Sequence, residues 1–202
     1  LDIKNKNTPS QINFLVMSEI GYKNLVYLSS ISHTSSNNLI GVHVKDLENH
    51  SEGLICYIGG EYNPLLFLNF QNKENSIFKL IKYFKNLYKE NFLFEIQRIQ
   101  DPKIDEFESQ FLKYSQDFKI PLIASNNIKF ENPNDFNAHD ALLCIAQKST
   151  INQNNRITSN PELYFKSSDQ MREIFYDIPE VIENNYFVSM KCNYFPREIN
   201  PN

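Results

Sequence analysis

The residues best placed to do chemistry lie in the loop after a short apolar strand, which is predicted at 121–125. In α/β proteins the loops that leave the carboxyl ends of strands usually carry the functional groups. This loop holds Asn127 and Lys129. Asn127 offers a neutral carbonyl oxygen and Lys129 an ammonium group, so neither is an ordinary ligand of a divalent cation. The loop has the position of an active-site loop but lacks side chains that would bind a metal.

Two further pairs of polar residues could serve a site. Glu95 and Arg98 stand at the end of a predicted strand and could pair with each other or with a partner; a structural ion pair is the expected role. His139 and Asp140 are adjacent on a predicted helix, so their side chains point about 100° apart and cannot chelate one ion together. Because a lone histidine is usually a satisfied structural residue, we expect His139 to cap or bond a neighbouring loop.

The histidines and cysteines do not have the spacing of a metal site. No two of the four histidines are placed as a helix-borne or strand-borne zinc site requires. The three cysteines lie far apart in apolar stretches, which favours reduced thiols in the core of a cytosolic protein. The residues concerned are His33, His43, His50, His139, Cys56, Cys144 and Cys192.

Composition limits the function classes. A chain of 202 residues with 41% hydrophobic and 22% charged residues suits one well-buried core. It begins with Leu1 and a polar, aperiodic segment at 1–10, so we expect a piece of a longer protein. No apolar run approaches the ~18 residues that span a bilayer, and no signal peptide is apparent, so we expect a cytoplasmic protein without membrane contact.

The charge pattern argues against a chain-wide nucleic-acid surface. The net charge is −4, whereas phosphate neutralisation needs clustered basic residues. A row of lysines does occur on one side of a predicted helix, and a solvated helix face explains that spacing without DNA. The row consists of Lys79, Lys82, Lys85 and Lys89.

Strands and helices alternate along the first 147 residues. Strands are predicted at 12–17, 53–58, 92–97 and 121–125, and helices at 21–32, 44–50, 74–90 and 104–118. Such alternation favours parallel pairing through right-handed crossovers, in an open sheet or a barrel. Two helices follow a polar loop after 147. Capping boxes at Ser167 with Gln170 and at Asp177 with Glu180 predict where these helices begin.

Five ordered sequence blocks resemble a known family. They are SEIGYKNLVYLSSIS, HSEGLICYIGG, FLFEIQR, IPLIASNNIKFENPNDFNAHDALLCIA and YFKSSDQMREIFYDIPEVIENN. In order and spacing they are similar to the PHP (polymerase and histidinol phosphatase) domain of bacterial DNA polymerase III alpha subunits, of the proteobacterial type with a degenerate metal site. The resemblance extends from about Gln11 to Cys192.

The resemblance implies an α/β fold, the later part of a distorted (βα)7 barrel. Residues 1–147 would be a partial barrel whose first strands lie upstream of Leu1. Residues 148–202 would be a loop and a helical extension leading toward the polymerase thumb and palm.

The resemblance also implies four former metal-ligand positions. In metal-binding members, the position of Gln11 holds His, that of Gly60 holds Cys, that of Asn127 holds Asp and that of Lys129 holds His. Since all four are replaced, no metal and no catalytic residue is expected in this chain. Lys129 is expected to pair with carboxylates that remain in the pocket.

The implied function is that of a metal-free scaffold. Its expected partners are the rest of the polymerase alpha subunit and a proofreading exonuclease subunit, with DNA contacted through the parent protein, whose palm would use Mg²⁺. Packing on its own polymerase, with no further role, is an equally open interpretation. The competing functions are an active metal-dependent PHP phosphoesterase or 3'-5' exonuclease, and a free-standing binding module.

Overall fold

The computed structural model of the chain describes residues 10–34 and 41–196. Within these ranges four strands form one sheet with helices packed around it, which confirms the mixed α/β class. The strands are β1 (Asn13–Val16), β2 (Leu54–Gly59), β3 (Phe92–Gln97) and β4 (Leu122–Ser125). The helices are α1 (Glu19–Thr34), α2 (Val44–Asn49), α3 (Pro64–Phe70), α4 (Glu74–Tyr88), α5 (Pro102–Phe118), α6 (Phe136–Gln147), α7 (Ser168–Ile174) and α8 (Glu180–Lys191). Of the polar start predicted at 1–10, residues 1–9 lie outside the described residues.

The strand order is β1-β2-β3-β4, and the direction of β1 differs from the prediction. β2, β3 and β4 are parallel to one another, as predicted, whereas β1 pairs antiparallel to β2. The Met17 amide donates to the Gly53 carbonyl at 2.9 Å, so β1 ends where β2 begins. A Cβ atom on Gly21 would lie 1.9 Å from the Gly53 carbonyl oxygen, and this close contact requires glycine. The predicted closure of a seven-stranded barrel stays a prediction.

One face of the sheet carries the main core. Phe92 and Phe94 from β3 pack against Phe84 of α4 and Phe111 of α5, with ring centroids of Phe94 and Phe111 4.5 Å apart. The apolar positions of α4 recur every three or four residues, as expected for a helix with one buried side. This packing fixes β3 in the centre of the sheet.

The opposite face changes character along the strands. Near the amino ends of β2, β3 and β4, a small apolar cluster of Ile55, Leu93 and Ile123 contacts Val188 of α8. Toward the carboxyl ends the residues of this face become polar, with Glu95 on β3. Alternate residues of a strand point to the same face, so this polar patch belongs to the face that a closed barrel would enclose.

One helix was not predicted. α3 begins after Asn63, whose side-chain oxygen accepts the Leu66 amide at 2.8 Å, and Pro64 occupies its first turn. An asparagine cap followed by proline is a common helix start, so the signal was present in the sequence.

The two predicted capping boxes have different outcomes. Ser167 and Gln170 form the predicted box at the start of α7. The box predicted at Asp177 is wrong, because α8 begins at Glu180 after Pro179 without a side-chain cap. The Asp177 carboxylate binds Arg98 instead, and an ion pair to guanidinium offers more energy than a single cap hydrogen bond.

α8 covers the free edge of β4. Asn185 accepts the Ala124 amide at 3.1 Å and donates to the Ala124 carbonyl at 2.7 Å, and Asn184 donates to the Leu122 carbonyl at 2.8 Å. These side-chain amides replace the hydrogen bonds of a neighbouring strand. Among the described helices, none is long and apolar enough to cross a membrane.

Candidate functional site

A cleft of about 420 Å³ opens at the carboxyl ends of the parallel strands. Gln11 lines it just before β1, Gly60 just after β2 and Asn127 just after β4. Three of the four predicted former ligand positions therefore lie around one cleft. Gln11 reaches this end of the sheet because β1 is antiparallel to β2, which places the start of β1 beside the end of β2.

Glu95 of β3 is the most buried acidic group in the cleft, with 6% of its surface exposed. Burial raises the pKa of this carboxyl, while hydrogen bonds from Ser125 and Gln97 oppose that rise. The Ser125 hydroxyl donates to Glu95 Oε1 at 2.5 Å. The carboxyl is thus held by two neutral donors in a poorly solvated place.

Gln97 completes this hydrogen-bonded group. Its Nε2 donates to Ser125 Oγ at 3.2 Å. Its Oε1 is buried and has no hydrogen-bond partner among the described residues. A buried acceptor without a donor is costly, and it marks a place where a donor from outside would be stabilised.

Gly60 adopts a left-handed backbone conformation, with φ of 72°. A Cβ atom there would lie 3.2 Å from Nε2 and 3.3 Å from Oε1 of Gln97. A side chain at this position would be strained by the backbone and crowded by the Gln97 amide. The Gln97 amide therefore occupies the space toward which a ligand at position 60 would extend.

Lys129, the fourth predicted position, does not line the cleft. Its side chain is exposed, and its backbone amide donates to the Leu163 carbonyl at 2.8 Å, next to the isolated β-bridge between Phe130 and Tyr164. The ion pairs formed within the described ranges do not include Lys129. The pairing predicted between Lys129 and a cleft carboxylate is not formed.

Glu95 and Arg98 do not pair with each other, because they point in different directions. Arg98 lies outside the cleft, where its guanidinium binds Glu108 at 2.6 Å and Asp177 at 2.5 Å. It also donates to the Ile174 carbonyl at 2.7 Å. The expected structural ion pair is present at Arg98, with these two partners.

His139 contacts a neighbouring loop, as was predicted for it, and Asp140 contacts the same loop. His139 Nδ1 lies 2.6 Å from Ser159 Oγ, in a neighbouring loop. Asp140 forms two hydrogen bonds of 2.7 Å with Arg156 and accepts the Ser159 amide at 2.9 Å. These bonds lower the pKa of Asp140 to about 2, with the Arg156 hydrogen bonds as the largest cause. Both residues lie outside the cleft.

The donor atoms of the cleft do not fit a cluster of divalent metal ions. Its lining, as far as the structure describes it, contains two carboxylates, Glu61 and Glu95, and no histidine, cysteine or aspartate. Nowhere in residues 10–34 and 41–196 do three metal-binding side chains of these types converge. Clusters of transition-metal ions need several anionic or imidazole ligands.

The cleft residues that sequence reasoning missed include Tyr57, Glu61, Tyr62, Gln97 and Ser125. One signal was available, because Glu95 and Gln97 are polar and alternate in a strand that is otherwise apolar. The position of Tyr57 and Tyr62 at the cleft depends on the tertiary structure, and no sequence signal predicted it.

The lysine row on α4 is a largely solvated face, as predicted. Lys79 and Lys82 are exposed opposite the buried side of the helix. Lys85 is half-buried and donates to the Phe118 carbonyl, and Lys89 follows the helix as its C-cap. The row therefore has a structural explanation, and none of these lysines lines the cleft.

Comparison with known proteins identifies the family. The chain matches the PHP domain over residues 1–99, a stretch that includes β1, β2 and β3 and two of the three cleft positions named above. Residues 1–99 belong to the PHP domain family. The predicted resemblance is thereby confirmed, and the cleft lies at the strand ends of this PHP domain and of the adjoining β4.

The similarity to curated proteins continues beyond the PHP domain match. The chain is 35% identical over 197 residues to the DNA polymerase III subunit alpha of Rickettsia bellii, with 95% of this chain and 16% of that protein covered. It is 35% identical to the same subunit of Borreliella burgdorferi and 32% identical to that of Caulobacter vibrioides, with 90% and 93% of this chain covered. The chain spans 16% of the length of each of these relatives.

Proposed function

We propose that this chain is the PHP part of a DNA polymerase III alpha subunit and acts there as a metal-free scaffold. The similarity over 90–95% of the chain to three subunits of that name supports the assignment to the polymerase. The composition of the cleft carries the proposal for a scaffold. Where metal-binding members would place His, Cys and Asp, the cleft has Gln11, Gly60 and Asn127.

The same proposal includes the larger architecture. The four-stranded sheet would be the later part of a distorted barrel of seven strands, with α7 and α8 leading toward the polymerase body. The polar patch on the inward face supports a barrel interior, because a polar surface at the carboxyl ends of the strands is typical of such sites.

The scaffold would have two partners. One is the rest of the alpha subunit, through which DNA would be contacted, and the other is a separate proofreading exonuclease subunit. A scaffold without its own hydrolytic site would need such a subunit to remove misincorporated nucleotides. Co-purification of the natural full-length protein with its exonuclease subunit tests the second contact, and elution of the two as separate species would contradict it.

Metal analysis of the natural full-length protein tests the scaffold itself. After dialysis from buffer with added zinc and manganese, we expect far less than one zinc or manganese ion per chain. Near-stoichiometric zinc or manganese would overturn the proposal. Metal-dependent hydrolysis of single-stranded DNA that Glu95→Gln abolishes would favour an active phosphoesterase instead.

A further inference from the structure

We propose that the cleft binds a guanidinium group of a separate molecule. The proposal rests on the function proposed above, because it requires a cleft without metal ions. Three independent observations support it: the charge of the lining, a buried acceptor without a donor, and two tyrosines at the cleft.

The part of the cleft lining that the structure describes has carboxylates but no cationic side chain. Glu61 and Glu95 line it, whereas its described lining includes no lysine, arginine or histidine. Glu95 is 6% exposed, and its hydrogen bonds come from neutral groups. A buried carboxylate is stabilised when a cation pairs with it, so the lining favours a positively charged ligand.

The neutral polar groups favour a ligand with several N–H donors. Gln97 is 7% exposed, and its Oε1 has no hydrogen-bond partner in the described part of the chain. The side-chain amides of Gln11, Asn13 and Asn127 also line the cleft. A guanidinium group has donors in a planar fork, so one group can bind a carboxylate and an amide oxygen together.

The aromatic residues select guanidinium over ammonium. Tyr57 is half-buried beside Glu95, and burial together with the Glu95 charge raises the pKa of its hydroxyl. Tyr62 is 51% exposed at the cleft. A planar guanidinium stacks on such rings and is more weakly hydrated than an ammonium, so it enters a half-enclosed cleft at lower cost.

Isothermal titration calorimetry on the natural full-length protein tests the proposal, with N-acetyl-L-arginine methylamide as the probe. We expect saturable binding with one site per chain, and at least tenfold weaker binding of the matched lysine compound. Absence of saturable binding of the arginine compound, or equal binding of both compounds, would overturn the proposal.

Three variants locate the binding. Glu95→Gln removes the buried charge and is expected to weaken binding at least tenfold, while Glu131→Gln makes the same change at an exposed residue outside the cleft and leaves binding unchanged. Tyr62→Ala is expected to weaken binding about threefold through lost stacking. Since Tyr62 is half-exposed, this variant keeps the test informative if Glu95→Gln does not fold. Binding that survives in both cleft variants would contradict the assignment to this cleft.

Metal analysis of the same protein sample separates the two proposals. Stoichiometric zinc or manganese would overturn the metal-free scaffold, and with it the guanidinium site. A metal-free sample that does not bind the arginine compound would overturn only the guanidinium site.

Discussion

Asp140 has a structural role, and the pH at which its carboxyl group ionises offers a way to test that role. Its carboxylate accepts two hydrogen bonds from Arg156 and one from the Ser159 amide, and it is 8% exposed. These contacts join α6 to the loop at residues 156–159. His139 binds the same loop through Ser159. Both residues of this pair therefore connect α6 to one loop.

Protonation of Asp140 is predicted to release this loop at low pH. Its pKa is lowered from 3.8 to about 2, so the stabilisation is complete above pH 3.8 and is lost as the pH falls toward 2. We expect protection of the Ser159 amide from hydrogen exchange, corrected for the intrinsic rate, to fall across that range. In Asp140→Asn the protection is low at every pH. Asp169→Asn, at an exposed ion pair with Arg172, is the matched control and leaves Ser159 protection unchanged.

At the scale of elements, Arg98 connects the end of β3 to α5 and to the segment between α7 and α8. It binds Glu108 of α5, Asp177 and the Ile174 carbonyl, and its guanidinium lies 5.0 Å from the centre of the Phe175 ring. The side chain is 22% exposed, so these contacts are only partly screened by water. Arg98 is therefore the polar link between the end of β3 and the segment that joins α7 to α8, whereas Asn184 and Asn185 hold α8 itself on β4.

Arg98→Ala is predicted to loosen α7 and α8 locally. The change leaves two carboxylates without a cation and removes packing on Phe175, so we expect a loss of about 2–4 kcal/mol in local opening free energy. Hydrogen exchange of peptides from 168–191 in the full-length protein measures it. Arg98→Lys keeps the charge but loses the planar guanidinium group that binds two carboxylates at once. We expect this variant to recover less than half of the opening free energy that Arg98→Ala loses.

A matched control exists on α7 itself. Arg172 pairs with Asp169 at 2.7 Å, but both side chains are largely exposed. Arg172→Ala is expected to change the same opening free energy by less than about 0.5 kcal/mol. Equal effects of the Arg98 and Arg172 variants would contradict the linking role of Arg98.

At the scale of the whole molecule, the two edges of the sheet differ. α8 covers the edge of β4 with Asn184 and Asn185. No strand within the described residues pairs with the outer edge of β1. The small apolar cluster at Ile55 and Leu93, on the face opposite the main core, is covered mainly by residues of α8 and neighbouring strands.

The 202-residue chain purified by itself is predicted to associate. An unpaired strand edge is a template for pairing with another chain. Light scattering after size-exclusion chromatography is expected to show oligomers or aggregates whose share increases with concentration. A monodisperse monomer with a sharp, cooperative melting transition would contradict this prediction. The full alpha subunit proposed above, treated in the same way, is the control.

The sequence by itself determined the elements and the family. Apolar runs predicted all four strands, and apolar residues spaced three or four positions apart predicted most of the helices. Burial of one face of an element makes apolar residues recur with the period of that element. Five ordered blocks predicted the PHP family, and three of the four positions predicted as former metal ligands line one cleft. These properties depend on residue types and on their spacing over short stretches of the sequence.

Only the tertiary structure decided the direction of β1, the partners of Arg98 and the composition of the cleft. A strand has the same local pattern in either direction, and the contact between Gly21 and Gly53 that orients β1 joins residues far apart in sequence. Arg98 and Asp177 likewise meet across 79 positions. Tyr57, Glu95 and Asn127 come together because neighbouring strands end at one edge of the sheet. Contacts of this kind depend on which elements pack together, and local periodicity does not encode that choice.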